Sequence, residues 1–196
     1  MEKLQNLKNS NSCVIITYRI ERCPDMKFDQ LVKMLYQENI NWVYSIIKEL
    51  DAKGIERKEK FIQDPYLFNN IVVLGYYFMN LYVISNINSY SEDDANLIMS
   101  SIITGASSYN QYKLTEIYKS LITLVDQYNS VVRKTKTYAP NDGLKARVVA
   151  VDEIYRRIYD VFNKRHFNVF VKVFMVSFTE YEKRIKNTIN EYLKQR

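Results

Sequence analysis

The chain holds one histidine, His166, and two cysteines, Cys13 and Cys23. One imidazole cannot build a multi-histidine metal site. The two thiols lie ten positions apart, without the CxxC spacing of a zinc or redox centre. No His-Glu-x-x-His, GxSxG, Walker A or GxGxxG run occurs. The Arg-x4–6-His spacing of some helical ribonucleases is missing as well, because Val161, Asp160 and Tyr159 stand where arginine would be needed. His166 therefore reads as a residue at a helix end, not as a general base. Glu92, Asp93 and Asp94 are adjacent, but three consecutive side chains point in different directions around a helix. They read as first-turn acids suited to the helix dipole. The expectation is a chain with no catalytic residue, no metal and no cofactor.

Charge carries the one lead. The net charge of +6 is unevenly placed: residues 1–132 hold 13 basic and 15 acidic side chains, whereas residues 133–196 hold 15 basic and 7 acidic. A field of this kind attracts nucleic acid, anionic lipid or an acidic partner. Part of it is self-compensated by spacing. Asp152–Arg156, Glu153–Arg157, Asp160–Lys164, Glu180–Arg184 and Glu182–Lys186 are i,i+4 pairs with the acid first, the better orientation on a helix. Five cations remain near one turn: Arg133, Lys134, Lys136, Lys145 and Arg147. Arg133 to Lys136 fall at a helix C-terminus, where cations suit the dipole. Lys145 and Arg147 fall in the first turns of the next helix, where they do not. A helix start with free N–H groups and added cations suits an anion, and Tyr138 in the intervening loop can stack on a base. These six residues are the expected phosphate-contacting site. Lys164 and Arg165 lie one helix length away and are assigned to the far end.

The elements that must position these groups are helical. Four glycines and three prolines among 196 residues leave little material for the tight turns of an all-β fold. Asp25 can cap a first helix that ends before Gly54, with Tyr36, Ile40, Val43, Ile47 and Leu50 on its apolar stripe. Asp64-Pro65 starts a second. Residues 66–91 contain no charged side chain. Asn69, Asn70 and Asn80 dilute that stretch, so a buried central helix is favoured over a membrane span, with Gly75 admitting a close neighbour. Ser91-Glu-Asp-Asp94 resembles a capping box opening a short helix that ends near Gly105.

A long helix from Ser107 or Ser108 (Leu114 to Val132 on its stripe) and another with Leu144, Val148, Val151, Tyr155, Ile158 and Phe162 step 4,3,4,3,4. Thr137–Gly143 would join them into an antiparallel αα-hairpin. A last helix spans Asn168 to Lys194. Residues 13–20, rich in β-branched side chains, are the one strand candidate.

The expected fold is all-α: an elongated bundle of about five main helices with a long antiparallel αα-hairpin, residues 25–196 as one domain and 1–24 as an extended arm. The expected function is a non-catalytic structural or assembly subunit that self-associates and contacts nucleic-acid backbone without base specificity, as coat and ribonucleoprotein subunits do. Seventeen tyrosines and nine phenylalanines suggest aromatic surface to spare for subunit contacts. The alternatives are a helical protein–protein interaction module, or a membrane-associated protein using residues 66–87; a membrane partner is disfavoured. Met1 to Ser12 is polar with no apolar signal core, so the expected location is cytoplasmic or virion.

Overall fold

The computed structural model describes residues 26–107, 142–159 and 161–195. The expected arm, the strand candidate at 13–20, both cysteines, and the first arm of the expected hairpin from residue 108 with its loop up to Asn141 lie outside these residues; Asp142 and Gly143, expected in that loop, are instead the first residues of a helix. Among the described residues the fold is all-α, with no strand. The helices are α1 (Met26–Ala52), α2 (Lys58–Gln63), α3 (Pro65–Ser85), α4 (Glu92–Ser107), α5 (Asp142–Ile158) and α6 (Lys164–Gln195), with a 3-10 turn at Ile87–Ser89.

Local chemistry sets the helix boundaries. Gly54 has φ +66°, and the bonds Ile55 N–H to Leu50 C=O (2.9 Å) and Gly54 N–H to Asp51 C=O (2.9 Å) close α1 in a Schellman motif. Asp64 accepts the Tyr66 N–H at 2.9 Å and Pro65 takes the first helical position of α3. Ser91 Oγ accepts the Asp94 N–H at 3.2 Å and donates to the Asp94 carboxylate at 2.6 Å, which opens α4. Asn163 Oδ1 accepts the His166 N–H at 3.0 Å, so α6 begins at Lys164, four residues earlier than its apolar stripe suggests.

Two expectations are corrected. α4 runs through Gly105 to Ser107. A Cβ on Gly105 would lie 2.8 Å from the Tyr76 hydroxyl, so this glycine makes room for α3 and does not end a helix. α5 stops at Ile158, and Phe162, the expected last residue of its stripe, is exposed in the connection that follows. The αα-hairpin present among the described residues is α5–α6, joined by residues 159–163. Arg147 meets Phe178 and Glu182 near one end of it, and Tyr155 meets Phe167 and Phe170 near the other.

α3 is buried along most of its length, and α1, α4 and α5 pack against it. It is one helix long and apolar enough to cross a membrane by length and composition, and 83% of its most apolar window is buried in the protein. α1 and α6 run antiparallel: Glu38 faces Arg184 at 3.9 Å, while Ile55, just past α1, meets His166. Trp42 lies where α1, α3 and α6 meet. Its ring stacks on Tyr181 (4.6 Å, 15° between planes), meets Phe78 and Phe174 edge-on, and donates from Nε1 to Ser177 at 3.2 Å.

One polar cluster sits inside this apolar contact. Asn39, fully buried, donates to the Val72 carbonyl (2.9 Å) and accepts from the Tyr181 hydroxyl (3.1 Å), which also lies 3.4 Å from the Gly75 carbonyl. Both ends of the amide are thus satisfied, as a buried amide requires. Burial pushes the Tyr181 phenol well above its ordinary range, so it stays a neutral donor.

Gly75 permits this arrangement. A Cβ there would overlap Asn39 Oδ1 and come within 2.9 Å of its Cγ and 3.1 Å of Trp42 Cε3. Asn39 is held at both ends and Trp42 is wedged among three rings, so neither yields cheaply. Alanine gains about 1 kcal/mol in helix propensity over glycine, but overpacking costs about 1–3 kcal/mol and a broken buried hydrogen bond about 1–3 more. Gly75→Ala is expected to lower stability by about 2 kcal/mol, read as a lower urea midpoint at unchanged slope.

Candidate nucleic-acid interface

The six residues expected to contact phosphate fare differently in the structure. Arg133, Lys134, Lys136 and Tyr138 lie outside the described residues. Lys145 lies on α5, but its side chain is outside the description. Arg147 is described, and it is engaged within the protein. Its Nη2 sits 3.0 Å from Glu182 Oε1 on α6, and its guanidinium lies 3.7 Å from the centre of the Phe178 ring. A cation in the second turn of α5 thus has an internal reason: it covers Phe178 and neutralises a carboxylate 35 positions away.

The electrostatics of this pair are dominated by burial. Loss of water pushes the Glu182 carboxyl above its ordinary value, and the Arg147 charge only partly restores it. The same loss of water lowers Arg147, against the attraction of Glu182. Both groups are therefore shifted toward their neutral forms, which means desolvation outweighs the attraction between them. A carboxyl raised by folding binds more protons folded than unfolded. Its contribution to stability is full below the ordinary value of 4.5 and is lost as pH rises through the raised value. Glu182→Gln mimics the protonated form at every pH. The stability difference, wild type minus variant, is expected to fall as pH rises above 4.5, leaving the variant no less stable at pH 7. Arg147→Ala, which strips the carboxylate of its counter-charge, is expected to destabilise at pH 7. Urea titrations from pH 4 to pH 8 check both.

Other cations are paired partly as spacing suggested. Arg156–Asp152 and Arg157–Glu153 each bond at 2.9 Å. The expected partners of Glu180 and Glu182 differ. Glu182 takes Arg147, Glu180 lies 3.8 Å from Lys183, and Arg184 faces Glu38 on α1. Both interhelical choices tie α6 to its neighbours, which an i,i+4 pair along α6 would not do. The Asp160–Lys164 pair involves a residue outside the description.

The opposite end of the hairpin is well defined. His166 sits in the first turn of α6 with both ring nitrogens used. The Ile55 carbonyl, 2.9 Å from Nε2, can only accept, so Nε2 carries the proton. Nδ1 lies 3.0 Å from the Tyr155 hydroxyl, which also donates to the Asn163 carbonyl at 3.4 Å, and the Tyr159 ring meets the imidazole edge-on at 4.7 Å. This latch holds the turn after α1 against the start of α6.

The exposed side chains of the two segments that the latch joins include five cations, the acids Asp51 and Glu59, Asn163 and two apolar groups. Lys53 and Arg57 lie between α1 and α2, Lys58 opens α2, and Lys164 and Arg165 open α6; none has an ion-pair partner among the described residues. Val161 is 79% exposed and Phe162 49%, with the Arg156 guanidinium 5.5 Å from the Phe162 ring. Sequence reasoning separated these residues by a hundred positions. The available signal was that α6 opens on Lys164-Arg165-His166 with no acid in its first turn.

Among the described residues many aromatic side chains are interior. Trp42, Tyr76, Tyr77, Tyr155, Tyr181, Phe61, Phe78, Phe170, Phe174 and Phe178 are all fully buried, so the core consumes much of what looked like surplus. No family of known proteins, no curated protein and no solved structure matches this chain in sequence or fold comparison.

Proposed function

We propose that the protein is a non-catalytic helical subunit that self-associates and contacts nucleic-acid backbone without reading base sequence. The observation that carries this reading is the charge partition. The last third holds 15 basic side chains against 7 acidic ones, so even complete internal pairing leaves a cationic surplus. Two of its acids are spent on neighbouring cations, Arg156 and Arg157, and a third on Arg147. Lys164, Arg165, Lys172, Lys186 and Lys194 of this third are exposed, and polyphosphate backbones are the common polyanion that such a field draws. Self-association rests on exposed Tyr44, Tyr66 and Val176, scattered apolar side chains outside the core.

Filter binding to mixed-sequence oligonucleotides across a salt series tests the reading. Four or five phosphate contacts give a slope of log K against log[salt] of about −3 for single strands and about −4 for duplex. Shuffling the sequence is expected to leave affinity unchanged. No retention at low salt would overturn the proposal. Light scattering is expected to show mass rising with concentration above the 23.4 kDa of one chain, and a constant monomer mass would remove the assembly half.

A further inference from the structure

We infer that the nucleic-acid contact of this protein is made by the latched end of the bundle, where the turn after α1 meets the start of α6, and that its ligand is a single strand. The inference rests on the functional reading above and names the surface and strand state that it leaves open.

Three observations converge on that end. First, the fold gathers cations that are far apart in sequence. The His166–Ile55 bond of 2.9 Å brings the segment from Lys53 to Lys58 beside the first turn of α6, which bears Lys164 and Arg165. Second, these cations are not consumed internally. Three acids of these segments are committed elsewhere, Glu56 to Lys60 at 2.7 Å, Asp152 to Arg156 and Glu153 to Arg157. Glu49, Asp51 and Glu59 stand against the five, with Asp160 by its place in the sequence, which leaves a small cationic surplus. By contrast Arg147, the described member of the expected site, is spent on Glu182 and Phe178.

Third, a half-exposed phenyl ring lies among the charges. Phe162 shows ring surface to solvent beside Val161, on a connection pinned at its far end by the Asn163 cap and the His166 latch. Stacking on a fixed aromatic ring is tolerant of base identity, but it needs an unstacked base. One side of the ring packs on Tyr155 and Phe167 (5.9 and 5.3 Å), and the half left to solvent suits the face of an unstacked base, which a single strand offers and an undistorted duplex does not. Positioned cations with an aromatic platform are the combination that single-strand binders employ.

Fluorescence anisotropy with a labelled 30-nucleotide oligo-dT and a duplex of equal length tests this. Variants are Lys164→Gln with Arg165→Gln, Arg57→Gln with Lys58→Gln, Phe162→Ala, and a comparison set at Arg133, Lys134, Lys136 and Lys145, each changed to Gln. All are exposed or outside the described core, and circular dichroism melts confirm that each variant folds. Each end-surface pair is expected to weaken oligo-dT binding at least about tenfold and to reduce the salt slope by about 1.4, two contacts at 0.7 each. Phe162→Ala is expected to lose about fivefold or more on oligo-dT, nothing on duplex, with the salt slope unchanged.

If oligo-dT binding survives in the end-surface variants with its full slope but falls in the comparison set, the inference is overturned and the functional reading stands. Wild type that binds neither nucleic acid overturns both. Wild type that binds vesicles rich in anionic phospholipid but not oligo-dT, with loss on changing Val161 and Phe162 to Asp, also overturns both in favour of a membrane surface.

Discussion

The protein depends on hiding one uncharged helix. α3 carries no ionisable side chain except the phenols of its tyrosines, and it has no polar face that water could wet continuously. It must be surrounded, and the rest of the chain is built to that requirement. α1, α4 and α5 pack against it, and α6, running antiparallel to α1, completes the wall through Phe174, Phe178 and Tyr181. Wrapping demands close approach, and the closest is at Gly75. There the missing Cβ lets Asn39 reach the Val72 carbonyl and hold Tyr181. The one buried polar cluster at this contact also gives it a register. A methyl group at Gly75 or a shift of one turn would leave the Asn39 amide and the Tyr181 phenol without their partners. Apolar burial supplies most of the stabilisation, and the polar bonds select which packing is stable.

Charge is divided by the same geometry. Cations next to the wrapped core are drawn inward and matched. Arg147 covers Phe178 and meets Glu182, and Arg184 faces Glu38. For the Arg147–Glu182 pair, burial shifts both groups toward neutrality, so its value lies in fixing α5 on α6 more than in net attraction. At the latched end Lys53, Arg57, Lys58, Lys164 and Arg165 meet no such partner among the described residues. The distinction between a structural and an available cation is therefore a matter of place in the bundle, and it runs against the grouping that spacing along the chain suggests.

Much of the helical plan was legible because its signals are local. Asp64-Pro65, Ser91 with Asp94, and the C′ Gly54 each act within a few residues, and each lies where its chemistry says it should. Gly75 as a close-approach point was legible because glycine inside an apolar run has few other uses. Gly105 misled, since the same residue type serves helix ends and tight contacts alike, and only Tyr76 decides between them. Phe162 misled because its apolar step continues a stripe that the Asn163 cap interrupts. The site was less legible than the fold. Arg147's partner is 35 positions away and His166's is 111, and pairs of that kind leave no periodic trace. The abundance of aromatic residues was read as surface and belongs in good part to the core.

The central claim is that the fold, and not a run of sequence, assembles the surface that meets a polyanion. Lysine acetylation footprinting with and without bound oligo-dT reads this directly, residue by residue, on the unmodified chain. The account predicts protection of Lys53, Lys58 and Lys164 together, from two segments more than a hundred positions apart, with Lys172 and Lys194 labelled equally in both states. Protection confined to Lys134, Lys136 and Lys145, or spread evenly over every exposed lysine, would contradict it.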